Sequence, residues 1–257
     1  MKKLNDFNRG VQITPICNSN TNSKSIIKIY EEHLLRNPKE KVLDVGGGDQ
    51  PIRNATHVID IQPFPENNKF RHGMIGQHTV EPKFSKDTWT VQDICTYPWR
   101  NTKGEPFKDN EFDFIWCTQV LEDIRDPIGA CKEMMRIGKK GYVNCPSKYV
   151  ELMRPINQYH GADLYNGYWH HRWLVSINAK DEILFEQKTA FAFLMDFSDY
   201  QDLFEKRKGI NIVSFTWEDD FNIKEKVYLS SKENVNSLIQ YMEDLKKSVE
   251  NDMVIKK

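Results

Sequence analysis

The apolar run Lys41-Val42-Leu43-Asp44-Val45 passes without a break into Gly46-Gly47-Gly48. A short strand ending on consecutive glycines constrains the chain strongly, because such a turn admits positive φ and lets a ligand approach the main chain. Two further apolar runs end near an acid: His57-Val58-Ile59-Asp60-Ile61 and Trp89-Thr90-Val91-Gln92-Asp93-Ile94. Phe112–Cys117 and Gly141–Cys145 read as a fourth and a fifth strand. Between them a helix is punctuated by Asp126 as cap, Pro127 at its first position and Gly138 at its end. An earlier helix is expected from Ser23 to Asn37 on the spacing of Ile26, Ile27, Tyr30 and Leu34. Strands alternating with helical patterns predict βαβ units and an α/β fold around a parallel sheet.

In an open parallel sheet the carboxyl ends of the strands line one crevice, where ligands bind. Asp44, Asp60 and Asp93 are therefore expected together. A carboxylate after the second strand suits two ribose hydroxyls, one after the third suits an amino donor on a base, and Asp44 suits a cationic amino group. Taken alone, the glycine triplet is no more than a tight turn. The dinucleotide pattern G-x-G-x-x-G is broken by Pro51, and no Gly-Lys-Ser/Thr follows, which excludes a P-loop.

Composition narrows the partners. The 257 residues carry 36 basic and 37 acidic side chains, a formal charge of −1, so no excess positive charge is available to hold nucleic acid or an anionic membrane. No apolar run approaches the ~18 residues of a spanning helix. Met1-Lys2-Lys3 is followed by no apolar segment of a secretory signal, and the expected location is the cytoplasm. Five widely spaced cysteines form no CxxC or Cys/His cluster and read as small buried hydrophobes.

The two ends of the chain read differently from its centre. Residues 1–22 form an N-terminal arm without periodicity, and 62–88 form a long loop with one helical turn. The runs Arg172–Ile177 and Glu182–Gln187 flank Asn178-Ala179-Lys180-Asp181 as a hairpin, and Asn211–Trp217 with Asn222–Leu229 read as a second pair. An amphipathic helix ends the chain, with Val235, Leu238, Met242, Leu245 and Val249 on one face and a capping box from Ser230 to Glu233.

At these residues the chain resembles the class I S-adenosylmethionine (SAM)-dependent methyltransferases. Val42–Gly48 looks like their glycine motif, Asp60 stands at the ribose-binding acid and Asp93-Ile94 at the adenine-contacting pair. Phe112–Cys117 and the stretch Val120–Pro127 resemble their fourth strand and the loop after it. The resemblance covers about residues 40–147. It implies a three-layer Rossmann-like sheet closed by an antiparallel hairpin, spanning 23–257, with 148–209 inserted as an acceptor-binding cap. It further implies SAM held by Asp44, Gly46, Gly47, Gly48, Asp60, Ile61, Asp93, Ile94, Cys117 and Thr118. Three departures stand out: Gln50 replaces the extended motif's third glycine, only 11 residues separate Gly48 from Asp60, which shortens the first helix, and Asp123 stands where the family's fourth-strand loop usually has His.

Methyl transfer to oxygen needs alignment and a base or metal near the methyl group. His171, then His170 and His160, are the candidate bases. Two adjacent histidines on a strand face opposite ways, so one of the pair is expected in the pocket. Arg154, Tyr159, Trp169 and Arg172 are candidates for binding the acceptor, the arginines through an anionic group. Gln119, Glu122 and Asp123 resemble a metal-holding stretch of ubiquinone-type O-methyltransferases, with Mg²⁺ as the lesser alternative to a metal-free site. Similarity to methyltransferases encoded among surface-polysaccharide genes points to a small-molecule acceptor such as a sugar, a nucleotide-linked sugar or another glycan precursor. The competing readings are a noncatalytic partner subunit with the same fold and a nicotinamide-dependent sugar-modifying enzyme. Against the last stands the absence of both G-x-G-x-x-G and a Tyr-x-x-x-Lys pair.

Overall fold

A computed structural model of the chain describes residues 39–76, 81–154, 165–207 and 209–255. The expected arm 1–22 and the helix from Ser23 lie outside them, as do Tyr159 and His160. The main sheet contains β1 (Val42–Val45), β2 (His57–Asp60), β3 (Trp89–Val91), β4 (Phe114–Thr118), β5 (Lys140–Pro146) and β8 (Ile212–Glu218), in the order β3-β2-β1-β4-β5-β8. The first five run parallel, and β8 pairs with β5 antiparallel, from Lys140 opposite Glu218 to Pro146 opposite Ile212. The strand order reverses between β1 and β4. That switch point opens the ligand crevice of an open α/β sheet.

All four residues of β1 are buried, so the sheet is covered on both faces. On one face Leu43, Val45 and Ile115 pack against Ala130, Cys131, Met134 and Ile137 of α1 (Pro127–Ile137). Asp126 Oδ1 accepts from the Gly129 N–H at 2.8 Å, so the cap and the proline at the first position act as read from the sequence. On the other face Val42, Val58 and Trp116 meet Ile52, Ala55, Phe84 and Trp89, with Phe64, Phe70, Met74 and Ile75 against them. The described parts of the long loop, 62–76 and 81–88, therefore cover this face with aromatic side chains and carry short 3₁₀ turns at Glu66–Asn68 and Lys86–Thr88.

Three expectations are corrected. No helix follows the glycine turn: residues 46–56 fold back on themselves, with Gln50 N–H donating to Gly47 O and Thr56 N–H to Val42 O. Pro51 and the short connection leave no length for a helix there. β3 stops at Val91, which places Asp93 two residues beyond the strand. The second β pair is not a hairpin. β9 (Ile223–Lys226) leaves β8 and pairs parallel with β7 (Ile183–Gln187), which pairs antiparallel with β6 (Trp173–Ile177) in a separate three-stranded sheet. Ile223 sits opposite Ile183, joining apolar side chains that a β8–β9 hairpin would leave apart.

Short helices α2 (Lys148–Leu152), α3 (Ala190–Leu194) and α4 (Leu203–Lys206) and the long α5 (Ser231–Ile255) share a third cluster, in which Leu238, Met242 and Val249 are wholly buried against Tyr149, Leu152 and Ala192. Ser230 Oγ accepts from Glu233 N–H, while Glu233 reaches back to Leu229 N–H, one residue earlier than a capping box requires. Among the described residues no helix is long and apolar enough to cross a membrane.

Candidate active site

The glycine turn closes over two carboxylates. Ile52 N–H donates to Asp44 Oδ2 at 2.7 Å, while Gly48 N–H and Gln62 N–H donate to the two oxygens of Asp60 at 2.9 and 2.7 Å. Gly46 (φ 71°) is packed so closely on Val120 that an added Cβ would lie 2.4 Å from its Cγ2, and a Cβ on Gly48 (φ 30°) would lie 3.1 Å from Asp60 Oδ2. The glycines thus bring the turn against the β4 loop on one side and against Asp60 on the other. Ile61, next in the chain, is exposed at the rim.

Burial pushes the Asp44 carboxyl up to about 7, against the hydrogen bond from Ile52, with the charge of Asp60 adding to the rise. Burial likewise raises Asp60, partly offset by its backbone donors. The sign of the linkage follows. Between about pH 4 and pH 7 folded Asp44 keeps a proton that the unfolded chain has released, so its contribution to stability falls as pH rises through that window and is flat above it. Asp44→Asn is therefore expected to flatten the loss of stability from pH 5 to pH 8. At about 1.4 kcal/mol per pH unit of displaced pKa, the gain at pH 8 is on the order of 2–4 kcal/mol. Urea titrations of both proteins at pH 5 and pH 8 measure it, and equal slopes would remove Asp44 as the source.

Asp93 is held differently. Cys95 N–H and then Arg125 Nη1, at 2.8 and 2.6 Å, keep its carboxyl below the usual range. Arg125 ties the end of β3 to the β4 loop, a contact with no signature in the sequence. Ile94 and Cys117 are buried in the core, and Thr118 is half-buried at the end of β4. Gln119 follows in the left-handed region at φ 56°, its amide bonded to Asn144. A non-glycine residue there is strained backbone at the mouth of the crevice.

Across the crevice, the turn before β6 meets the β4 loop. Arg172 N–H donates to Glu122 O at 2.7 Å, which fixes His170 and His171 beside Asp123. His171 is buried. Its Nδ1 lies 2.7 Å from Glu151 Oε1, and its Nε2 stands 3.9 Å from Asp123 Oδ1. Glu151 of α2 is itself fully buried and bonded through Oε2 to Lys188, whose Nζ also donates to Tyr168 O at 2.8 Å. Burial opposes ionisation of Glu151, but the hydrogen bond from His171 and the charge of Lys188 outweigh it and hold the carboxyl below its ordinary range. The Tyr168 ring lies against His171 with centroids 4.6 Å apart. Burial pushes the neighbouring carboxyl of Glu122 up to about 7.

The structure brings both histidines to one place, correcting the expectation that they diverge. They precede β6 and sit in a turn, where strand alternation does not operate, and their rings are 4.5 Å apart at 80°. The Gln119, Glu122 and Asp123 set is not assembled as a metal site: Gln119 turns to Asn144, and the donors that converge are Asp123, His170 and His171. Trp169 is 79% exposed, and Arg154 and Arg172 are also on the surface. Tyr149 and Trp173 belong to core packing. Glu151 and Lys188 were not anticipated. The available signal was one acid inside the apolar run Tyr149-Val150-Glu151-Leu152-Met153, which demands a buried partner.

A family described as a methyltransferase domain matches residues 83–143. No curated protein matches the chain. Among solved structures the chain is similar to a putative sarcosine dimethylglycine methyltransferase from Galdieria sulphuraria, at 17% identity over 55% of this chain and 53% of that one, with a TM-score of 0.31. It is also similar to a SAM-dependent methyltransferase from Mesorhizobium loti, at 12% identity over 62% and 64% with a TM-score of 0.30, and to the cyclase SpnF, at 15% identity over 54% and 51% with a TM-score of 0.32. The chain thus spans roughly half to two thirds of the length of these structures. The domain match over residues 83–143 thus falls on a sheet whose last strand is reversed and whose glycine turn closes over Asp60, and it identifies this part of the chain as similar to a methyltransferase domain.

Proposed function

We propose that the chain binds SAM at the glycine turn and transfers its methyl group to an oxygen of a small polar acceptor, such as a sugar, a nucleotide-linked sugar or a glycan precursor. The observation that carries the reading is His171, oriented by the buried Glu151–Lys188 pair, with Nε2 directed toward Asp123 beside the switch point.

The residues at the turn fit the donor. Asp60 retains a free lone pair on each oxygen for ribose hydroxyls, Gly47 and Gly48 offer main chain without side chains, and Asp44 ionises as a cationic amino group approaches. Asp93, Ile94 and Thr118 stand where the base and the reacting end would be held. SAM held there would supply the methyl group on a sulfonium, with a neutral thioether as the leaving group. The chain's own task is alignment and removal of the hydroxyl proton. Glu151 accepts the Nδ1 hydrogen of His171 and so leaves the Nε2 lone pair free for that proton. The imidazolium then formed lies between Glu151 and Asp123, two carboxylates that stabilise it. Trp169, packed against His170, and Arg172, whose charge acts on Asp123, are the acceptor contacts we assign to this end.

Calorimetric titration with S-adenosylhomocysteine tests the donor site. Micromolar binding is expected, and Asp60→Asn should weaken it about 10- to 100-fold, since hydrogen bonds to a charged group contribute roughly 1.5–3 kcal/mol. Asparagine keeps an acceptor for only one of the two backbone donors, Gly48 N–H and Gln62 N–H, so a urea titration beside the isotherm checks that the variant is folded. Unchanged affinity would take the ribose role from Asp60. Production of S-adenosylhomocysteine with a panel of sugars and nucleotide sugars tests the acceptor class.

A further inference from the structure

We propose that Asp123, His170 and His171 bind a divalent first-row transition metal ion through two imidazole nitrogens and one carboxylate oxygen. One ligand atom from each of the three residues lies within 4.8 Å of the other two. Nδ1 of His171 is committed to Glu151 at 2.7 Å, and Glu151 is paired with Lys188, so in the tautomer that donates Nδ1–H to Glu151 the Nε2 lone pair faces Asp123. That lone pair stands 3.9 Å from Asp123 Oδ1, which is shut off from solvent and receives no hydrogen bond. Two acceptors facing each other across that gap are repulsive unless a cation lies between them.

A proton on Nε2 would answer the repulsion, but it gives no part to His170, whose ring stands nearly perpendicular to that of His171. A metal ion uses all three groups. Donors at about 2.0–2.2 Å from an ion lie roughly 3–3.5 Å from one another, so the cluster has to contract by less than about 1 Å. The Glu151–His171 bond is already the carboxylate–histidine support that orients a ligating imidazole. Two nitrogens and one oxygen suit Zn²⁺, Mn²⁺ or Fe²⁺ better than Mg²⁺, which prefers oxygen. His170 is on the solvent side, which leaves coordination positions open toward the crevice. Resting on the methyl-transfer reading, the ion would bind the acceptor hydroxyl and make it acidic enough to release its proton to solvent on the open side, so that His171 serves as a ligand in place of the base.

The test uses the full chain stripped with EDTA, titrated with Zn²⁺ by calorimetry and with Co²⁺ by visible absorption. One Zn²⁺ per chain with micromolar or tighter affinity is expected, with Co²⁺ bands that Zn²⁺ abolishes. His170→Ala and Asp123→Asn should each weaken Zn²⁺ by about 30-fold or more, beyond the range typical of losing a supporting residue. His170 is exposed, so its variant folds, and His72→Ala should leave Zn²⁺ affinity unchanged. Binding no tighter than about millimolar, or equal affinity in the cluster variants, overturns the site. S-adenosylhomocysteine titrated into the same samples separates the two readings. Binding of it without Zn²⁺ overturns the ion alone, whereas Zn²⁺ held by the cluster without it upholds the ion and overturns the methyl donor.

Discussion

Replacing His171 by alanine is expected to lower methyl transfer by about 10²- to 10⁴-fold, the range a positioned acid or base supplies, while S-adenosylhomocysteine affinity stays within about threefold of the parent. The two effects separate because the two halves of the crevice are built by different segments. The donor side rests on the turn after β1 and on Asp60, bonded to Gly48 and Gln62, and His171 takes no part in those contacts. The acceptor side rests on the β4 loop and the turn before β6, joined through Glu122 O. Loss of the imidazole removes either the group that takes the proton or a ligand of the ion that makes it acidic. Both therefore appear in turnover rather than in donor binding. The measurement is the rate of S-adenosylhomocysteine production beside its binding isotherm. A parallel fall in both would show His171 to be a support of the whole crevice and not its acceptor edge.

What the sequence revealed of this arrangement depends on how local each feature is. α1 is legible to the residue because its cap, its first proline and its apolar face all lie within Asp126–Gly138. β1, β2 and β4 are legible because strands buried on both faces read as continuous apolar runs. β9 misleads because Glu218-Asp219-Asp220 has the composition of a hairpin turn, and Asp219 does adopt φ 65°, yet the partner of Ile223 is Ile183, forty residues back. Pro51 and the short connection argue against a helix after the glycine turn, whereas the family resemblance implies one. In the site, Asp44, Asp60 and the glycines could be found from one segment each. Glu151 and Lys188 could not, since they lie on α2 and just past β7, and nothing in their spacing links them to His171.

That unpredicted pair carries the largest expected effect on stability. The side chains of Lys188 and Glu151 are both 0% exposed and bonded to each other. Lys188→Met leaves Glu151 buried without its cation, and breaking a buried pair by removing one partner costs about 3–5 kcal/mol. Adding Glu151→Gln removes the stranded charge and keeps an acceptor for His171 Nδ1, so the double variant should recover most of that loss in urea titrations at pH 7. Turnover should not recover with it. A neutral amide holds the imidazole in place but no longer stabilises its positive charge, whether that charge comes from the acceptor proton or from a bound ion, and activity at least about tenfold below the parent is expected. Stability restored without activity would make Lys188 a positioning residue that acts through Glu151. If both returned together, the pair would serve the core alone.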